Sequence, residues 1–317
     1  MPTLAAAVER GNPDELLAIV DHLCKDRSWD DLLDLKSRCI DALDRGKQLW
    51  PIAEHIDYRL ALEAPAAWAA PIVVTGAGRF TIGPLTEVVA STHAWRDLAP
   101  HLVNGPARRV VAYERVIRRD TIDEPDGEVP MRLQPWEPSY PVATYHAREA
   151  EFPSPDLPPM SESALPHTFE SIRDPESTEA LEAITSTWTD ESNGRCESVA
   201  VSGSALEAIA AFGLEWARVV DIPATTALAL MAWAGASGGA HGRRPGAASG
   251  RFAAWWAAAT LTDSEWPADP IDLGLRIERL HWYVWSDLFP PTGWSFQIAV
   301  EDPAEGLAWA ISAIDAT

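Results

Sequence analysis

The chain has 317 residues, 47% of them hydrophobic, which is enough to bury a substantial core and long enough for two domains. Its 47 acidic against 25 basic residues leave a formal net charge of −22, and this excludes direct nucleic-acid binding as an expectation, because phosphate backbones reward basic surfaces. Cys24, Cys39 and Cys196 form no CxxC pair, so neither a disulfide framework nor a zinc ribbon is indicated; reduced thiols, no metal site and no cofactor are expected.

The first residues, MPTLAAAVERGNPDELL, carry acids where a secretory signal needs a basic start and an unbroken apolar run, so a cytoplasmic location is expected. Residues 222–240 are uncharged over about a membrane-spanning length except at Asp221 beside them, but proline, threonine and glycine replace the large aliphatics that lipid requires. Burial within protein, with no membrane contact, is the expectation.

Residues 1–119 read as an irregular stack of short helices. Asn12, Pro13, Asp14 and Glu15 supply a cap, a first-turn proline and acids at the positive helix end, followed by Leu16, Leu17, Ile19, Val20 and Leu23. Ser28 opens a second helix with a stripe of Leu32, Leu35, Cys39 and Leu43. Pro51, Pro84 and Pro106 each begin a further helical pattern, without a fixed repeat period.

Residues 72–83, IVVTGAGRFTIG, resemble the TGxxxGxG start of short-chain dehydrogenases, with one residue too many and the middle glycine missing. The segment follows helices instead of opening a βαβ unit, and no lysine follows Lys47. A YxxxK catalytic pair and a GxxxxGK[ST] phosphate loop are therefore both absent, and a two-stranded turn or loop is expected here.

Residues 120–174 are proline-rich and cannot sustain helices; they read as a linker or a surface-wrapping segment. Residues 175–317 then read as a second domain. Ser204 and Glu207 form a capping box for a helix through Leu214 and Trp216, and this helix is expected to lead directly into a hairpin of two Ala/Trp-rich helices at residues 223–262. Alternation of Trp294, Phe296, Ile298 and Val300 with Ser295, Gln297 and Ala299 predicts a β-hairpin over residues 280–300. Pro303 is expected to begin a final helix through Ile314. The predicted fold class is α+β, predominantly helical: stacked short helices, a Pro-rich middle segment, and C-terminal helices with a terminal β-hairpin.

The glycine-rich loop of the helical hairpin, residues 235–251, carries His241, Arg243, Arg244 and Arg251 in an otherwise acidic chain. Arginine forks and free glycine N–H groups beside a helix start are the parts that hold a phosphate or carboxylate, although pairing with the chain's own carboxylates is the commoner use of such arginines. Gly235, Ser237 and Gly239 match GxSxG, and Asp263, Asp269 or Asp272 followed by His281 would give a hydrolase order, but an alanine-rich helix precedes the serine where a strand is needed.

The 15 tryptophans suit core packing first; Trp282, Trp285 and Trp294 would form an interface if exposed together. The function expected is that of a non-catalytic binding protein, a subunit or regulator docking a protein partner or forming a homo-oligomer. The alternative is an enzyme holding an anionic small molecule at residues 235–251, with serine hydrolysis as a sub-case.

Overall fold

The computed structural model describes residues 4–75, 78, 81–289 and 292–316. The chain divides into two compact units, one formed by residues 1–122 and 143–152, the other by residues 123–142 and 153–317. The proline-rich segment is thus shared out between the two units. Among the described residues 46% are helical and 16% lie in strands.

The first unit contains α1 (Leu4–Arg10), α2 (Pro13–Lys25), α3 (Trp29–Asp41), a 3-10 turn (Ala42–Arg45), α4 (Trp50–Glu63), α5 (Ala66–Thr75), α6 (Leu85–Thr92), α7 (Trp95–Leu98) and α8 (Pro106–Ile117). Asn12 caps α2 as its sequence implies, its side chain accepting from the N–H groups of Asp14 and Glu15. Ser28 occupies the corresponding place before α3 but makes no side-chain cap bond. Helix α4 is buried from Ile56 to Leu62 because α2, α3, α5 and α6 all pack on it. Its charged residues are paired as burial demands: Asp57 with Lys36, and Arg59 with Asp21 and Glu63. Strands β1 (Thr144–Tyr145) and β2 (Ala150–Glu151) form a small antiparallel pair, and the Tyr145 hydroxyl donates to Glu87 at 2.7 Å.

The expected turn at residues 72–83 is corrected in its first part, since Pro71 and residues 72–75 continue α5. Residues 76, 77, 79 and 80 lie outside the described residues. Gly78 and Gly83 carry carbonyls that accept from the Thr81 hydroxyl.

The second unit overturns the predominantly helical reading. Its centre is a seven-stranded antiparallel sheet of β3 (Ser161–Ala164), β4 (Glu170–Ser171), β5 (Arg195–Ser202), β6 (Trp216–Ile222), β7 (His281–Ser286), β8 (Trp294–Asp302) and β9 (Leu307–Asp315), in the order β3-β6-β7-β8-β9-β5-β4. The hairpin anticipated over 280–300 is present as β7 and β8, with Trp282 opposite Val300 and Val284 opposite Ile298. It is not terminal. Pro303 starts no helix, because Asp302 closes a four-residue turn through Ala304 N–H, Glu305 N–H and a left-handed Gly306, and the chain returns as β9.

The helices of this unit are α9 (Pro175–Ala183), α10 (Ser186–Asp190), α11 (Ala205–Ala210), α12 (Ala224–Ala236), α13 (Ala247–Leu261) and α14 (Pro270–Ile277). The Ser204 and Glu207 capping box is present. The helix that it opens ends at Ala210, and Trp216 begins β6, so the expected run of three consecutive helices is broken by a strand. Helix α11 packs on one sheet face over Val201, Val219, Trp285, Ala299, Ala308 and Ala310. Helix α9 lies against β5 and β9, α12 lies against β7 and β8, and α13 packs on α9 and α12.

Candidate functional site

The two helices α12 and α13 form the anticipated hairpin, and their closest approach is set by glycine. A Cβ on Gly250 would stand 2.0 Å from the Ala232 carbonyl oxygen, and one on Gly235 would stand 3.3 Å from Gly250 Cα. Backbones can meet this closely only where no side chain intervenes.

The glycine loop between them is turned inward. Gly242 N–H donates to Gly238 O at 2.9 Å, Ala240 N–H to Asp315 Oδ2 at 2.6 Å, His241 N–H to Ser192 Oγ at 3.1 Å and Arg243 N–H to Glu191 Oε2 at 3.1 Å. Gly242 N–H, one of the glycine donors that sequence reasoning offered to an outside anion, and the three neighbouring N–H groups are spent on the chain's own acceptors. The Arg243 guanidinium makes a second pair of bonds to Glu191, at 3.2 and 3.1 Å, and these hold the Glu191 carboxyl below its usual range. Arg244 is half-buried and likewise engaged, while the His241 side chain is exposed.

Arg251 does not join this loop. It is 1% exposed, and its Nε and Nη2 donate to the two Glu137 oxygens at 2.7 and 2.8 Å. Nη1 and Nη2 also reach the carbonyls of Pro130 and Arg132. Tyr140 Oη at 2.6 Å and Trp255 Nε1 at 3.0 Å donate to Glu137 Oε2. Burial alone would raise the Glu137 pKa, but the hydrogen bonds and charge of Arg251 overcome it and hold the carboxyl below its usual range. The four residues therefore form a closed polar network that fastens residues 130–140 to α13. The structure takes Arg251 away from the other three expected anion ligands into the interior, and Arg243 is paired with Glu191 at the surface.

Ser237 is 2% exposed. Its Oγ donates to Ala234 O at 3.1 Å and accepts from Trp188 Nε1 at 2.8 Å, with no histidine among its described partners. The hydroxyl closes the end of α12, with Trp188 Nε1 and Ala234 O as its partners. His281 is exposed on β7 and lies 4.0 Å from Glu301.

Of the three hairpin tryptophans expected to form an interface if exposed together, two are buried and Trp294 is half-buried. Trp282 and Trp285 are each 2% exposed, and their indole N–H groups donate to the carbonyls of Ile277 and Ile298 at 3.2 Å. Trp294 stacks on Trp233 at 5.2 Å between ring centres. Among the described residues no group of three or more His, Cys, Asp or Glu side chains is placed to hold a metal ion. No helix among them is long and apolar enough to cross a membrane.

The aromatic surface lies elsewhere. Phe252 and Trp256, one turn apart on α13, are 42% and 38% exposed, and Trp266 sets its ring edge against both, at 5.5 and 5.1 Å. Exposed Asp263 and Glu265 precede Trp266 in the chain. The neighbouring helix α14 turns out a second pair one turn apart, Ile271 and Leu275. Sequence reasoning placed Phe252 and Trp256 in a buried hairpin. Their i, i+4 spacing among alanines was the available signal, but it does not tell the inner face from the outer one.

Comparison with curated proteins and comparison with solved structures each gave no match. A family model described as "Family of unknown function (DUF6183)" matches residues 14–317, and the chain belongs to that family.

Proposed function

We propose that the chain is a non-catalytic binding protein, a subunit or regulator that docks a basic protein partner on the outer face of α13. The observation that carries this reading is the triplet of Phe252, Trp256 and Trp266, in which Trp266 contacts both of the other rings at a partly exposed surface. Aromatic side chains offer large contact area at little entropic cost, and clustered rings of this kind are where interfaces concentrate their energy. Asp263 and Glu265 beside the rings, and a net charge of −22, favour a partner rich in arginine or lysine, which can also lie over the indole faces. The same charge opposes self-association, since two copies would bring like-charged rims together.

The enzyme alternative at residues 235–251 is less supported, because Gly242 N–H, Gly246 N–H and Arg251, which would help to hold its substrate, already serve the fold.

The test is native mass spectrometry of the intact chain purified from its host, beside the double variant Phe252→Ala, Trp256→Ala. The expected result is a stoichiometric basic partner bound to the native chain, cross-linked to α13 and lost from the variant, whose thermal midpoint stays close to that of the parent. A partner retained by the variant, a homo-oligomer, or a chain that purifies alone would overturn the proposal.

A further inference from the structure

The sheet face beneath α11 is only partly covered. Six helical residues extend about 9 Å, whereas nine-residue strands such as β8 and β9 run about 30 Å, so one such helix cannot roof the whole face. Side chains two residues apart along a strand share a face, so the surface that holds Ala299 and Ala310 under α11 continues through Gln297 and Ser312. Beyond α11 it opens into a hollow of about 840 Å³. This is the size of a small-molecule site.

The lining is of two kinds. Phe212 and Leu214, from the segment after α11, and Ile314 of β9 supply apolar walls, with Phe212 stacked on Trp285 at 5.2 Å. The floor is polar: the buried Gln297 donates from Nε2 to Ser312 Oγ at 3.1 Å and accepts from Ser295 Oγ at 3.2 Å. At the β7 side stands Asp287, whose Oδ1 is shielded from solvent and meets no donor among the described residues. Asp287 as a whole is only half-buried and lines the hollow, and no ion pair neutralises its carboxylate among the described residues, so its negative charge is offered to whatever occupies the space.

Charge selects the donor. Asp287 and Glu197 outnumber Arg195 in the lining, and Arg195 stands on β5, three strands and about 14 Å from β7. No ion pair joins Arg195 to Asp287 among the described residues. A cationic nitrogen is therefore favoured beside Asp287 over a neutral donor, and the field of an acidic chain favours cations generally. We infer that the hollow is a binding site for a small organic cation, a primary ammonium on an apolar body, with the ammonium beside the Asp287 carboxylate and the body lying against Phe212, Leu214 and Ile314. This site is separate from the α13 aromatic surface and does not depend on the docking proposal.

The test is calorimetric titration of the full chain with phenethylammonium and 4-phenylbutylammonium, and with 3-phenylpropionate as the anion of matching shape. The ammonium compounds should bind one to one and more tightly than the carboxylate. Asp287→Asn should weaken them roughly tenfold or more, the size expected for a hydrogen bond to a charged group. Ser312→Phe, which fills the floor without touching Asp287, should abolish binding. Asp287→Asn should melt at or above the parent's midpoint, and Ser312→Phe, which also takes the acceptor of Gln297 Nε2, somewhat below it, with both chains folded at the titration temperature. If Asp287→Asn does not fold, the comparison of cation with anion on the parent chain and the Ser312→Phe titration still decide. Equal or tighter binding of the carboxylate, unchanged ammonium affinity in either variant, or no ammonium binding at millimolar concentration would overturn the inference.

Discussion

Arg251 and Glu137, separated by 114 residues in sequence, face each other through two parallel hydrogen bonds of 2.7 and 2.8 Å inside the second unit. A guanidinium and a carboxylate both withdrawn from water are stable only as a complete set, so losing one member leaves the other charge buried and unmatched. Arg251→Ala should therefore lower the unfolding free energy by about 3–5 kcal/mol, whereas replacing both residues by apolar ones of similar volume should cost much less. Urea titrations of the single and double variants measure the difference.

The same pair sets a pH dependence. Glu137 is held below its usual value of 4.5 in the folded chain, so its contribution is present above that value and is lost as the pH falls through the lower folded-state value. The second unit should lose stability on the acid side, and Glu137→Gln should flatten that slope in thermal melts recorded from neutral pH downward.

Gly250→Ala adds one methyl group where the Ala232 carbonyl and the Ala236 amide already stand within 2.8 Å of the new carbon. Helices α12 and α13 must part to admit it. The expected cost is about 1–3 kcal/mol or more, despite alanine's better helix propensity, and chemical denaturation measures it directly.

Ser237→Ala tests the hydroxyl at the end of α12. Removing it leaves Trp188 Nε1 buried without its acceptor, which should cost about 1–3 kcal/mol. A fluorophosphonate probe should label neither the parent nor the variant. Labelling that disappears with Ser237 would show a reactive serine and contradict the hydrogen-bond assignment.

Burial pushes the thiols of Cys24, Cys39 and Cys196 up to about 11. At pH 8 roughly one thiol in a thousand is then ionised, so Ellman's reagent should react slowly with the folded chain and rapidly with all three cysteines in denaturant. A fast native phase would show that one of them is more accessible or more acidic than its packing indicates.

What could be read from sequence depended on how local each determinant is. Asn12 with Pro13, and Ser204 with Glu207, act within four residues, and both predicted helix starts are where the pattern put them. The β7–β8 hairpin was legible because polar Ser295 and Gln297 interrupt the apolar run at period two. Strand β9 was not, because Ala308, Trp309, Ala310 and Ile311 are all buried: a strand covered on both faces shows no alternation, and alanines beside a proline read as helix. The partner of Arg251 was beyond reach for another reason. Glu137 lies in a proline-rich stretch that reads as a surface cover, and nothing local distinguishes it from the chain's other carboxylates.

Both margins of the seven-stranded sheet are short. One ends in the four residues of β3, where Glu162 is exposed, and the other in the two residues of β4, which begins at Glu170. Backbone groups at an open margin are a template for strands of other molecules, and brevity with negative charge removes that invitation. A protein with short, acidic sheet margins is thereby protected against growing into filaments.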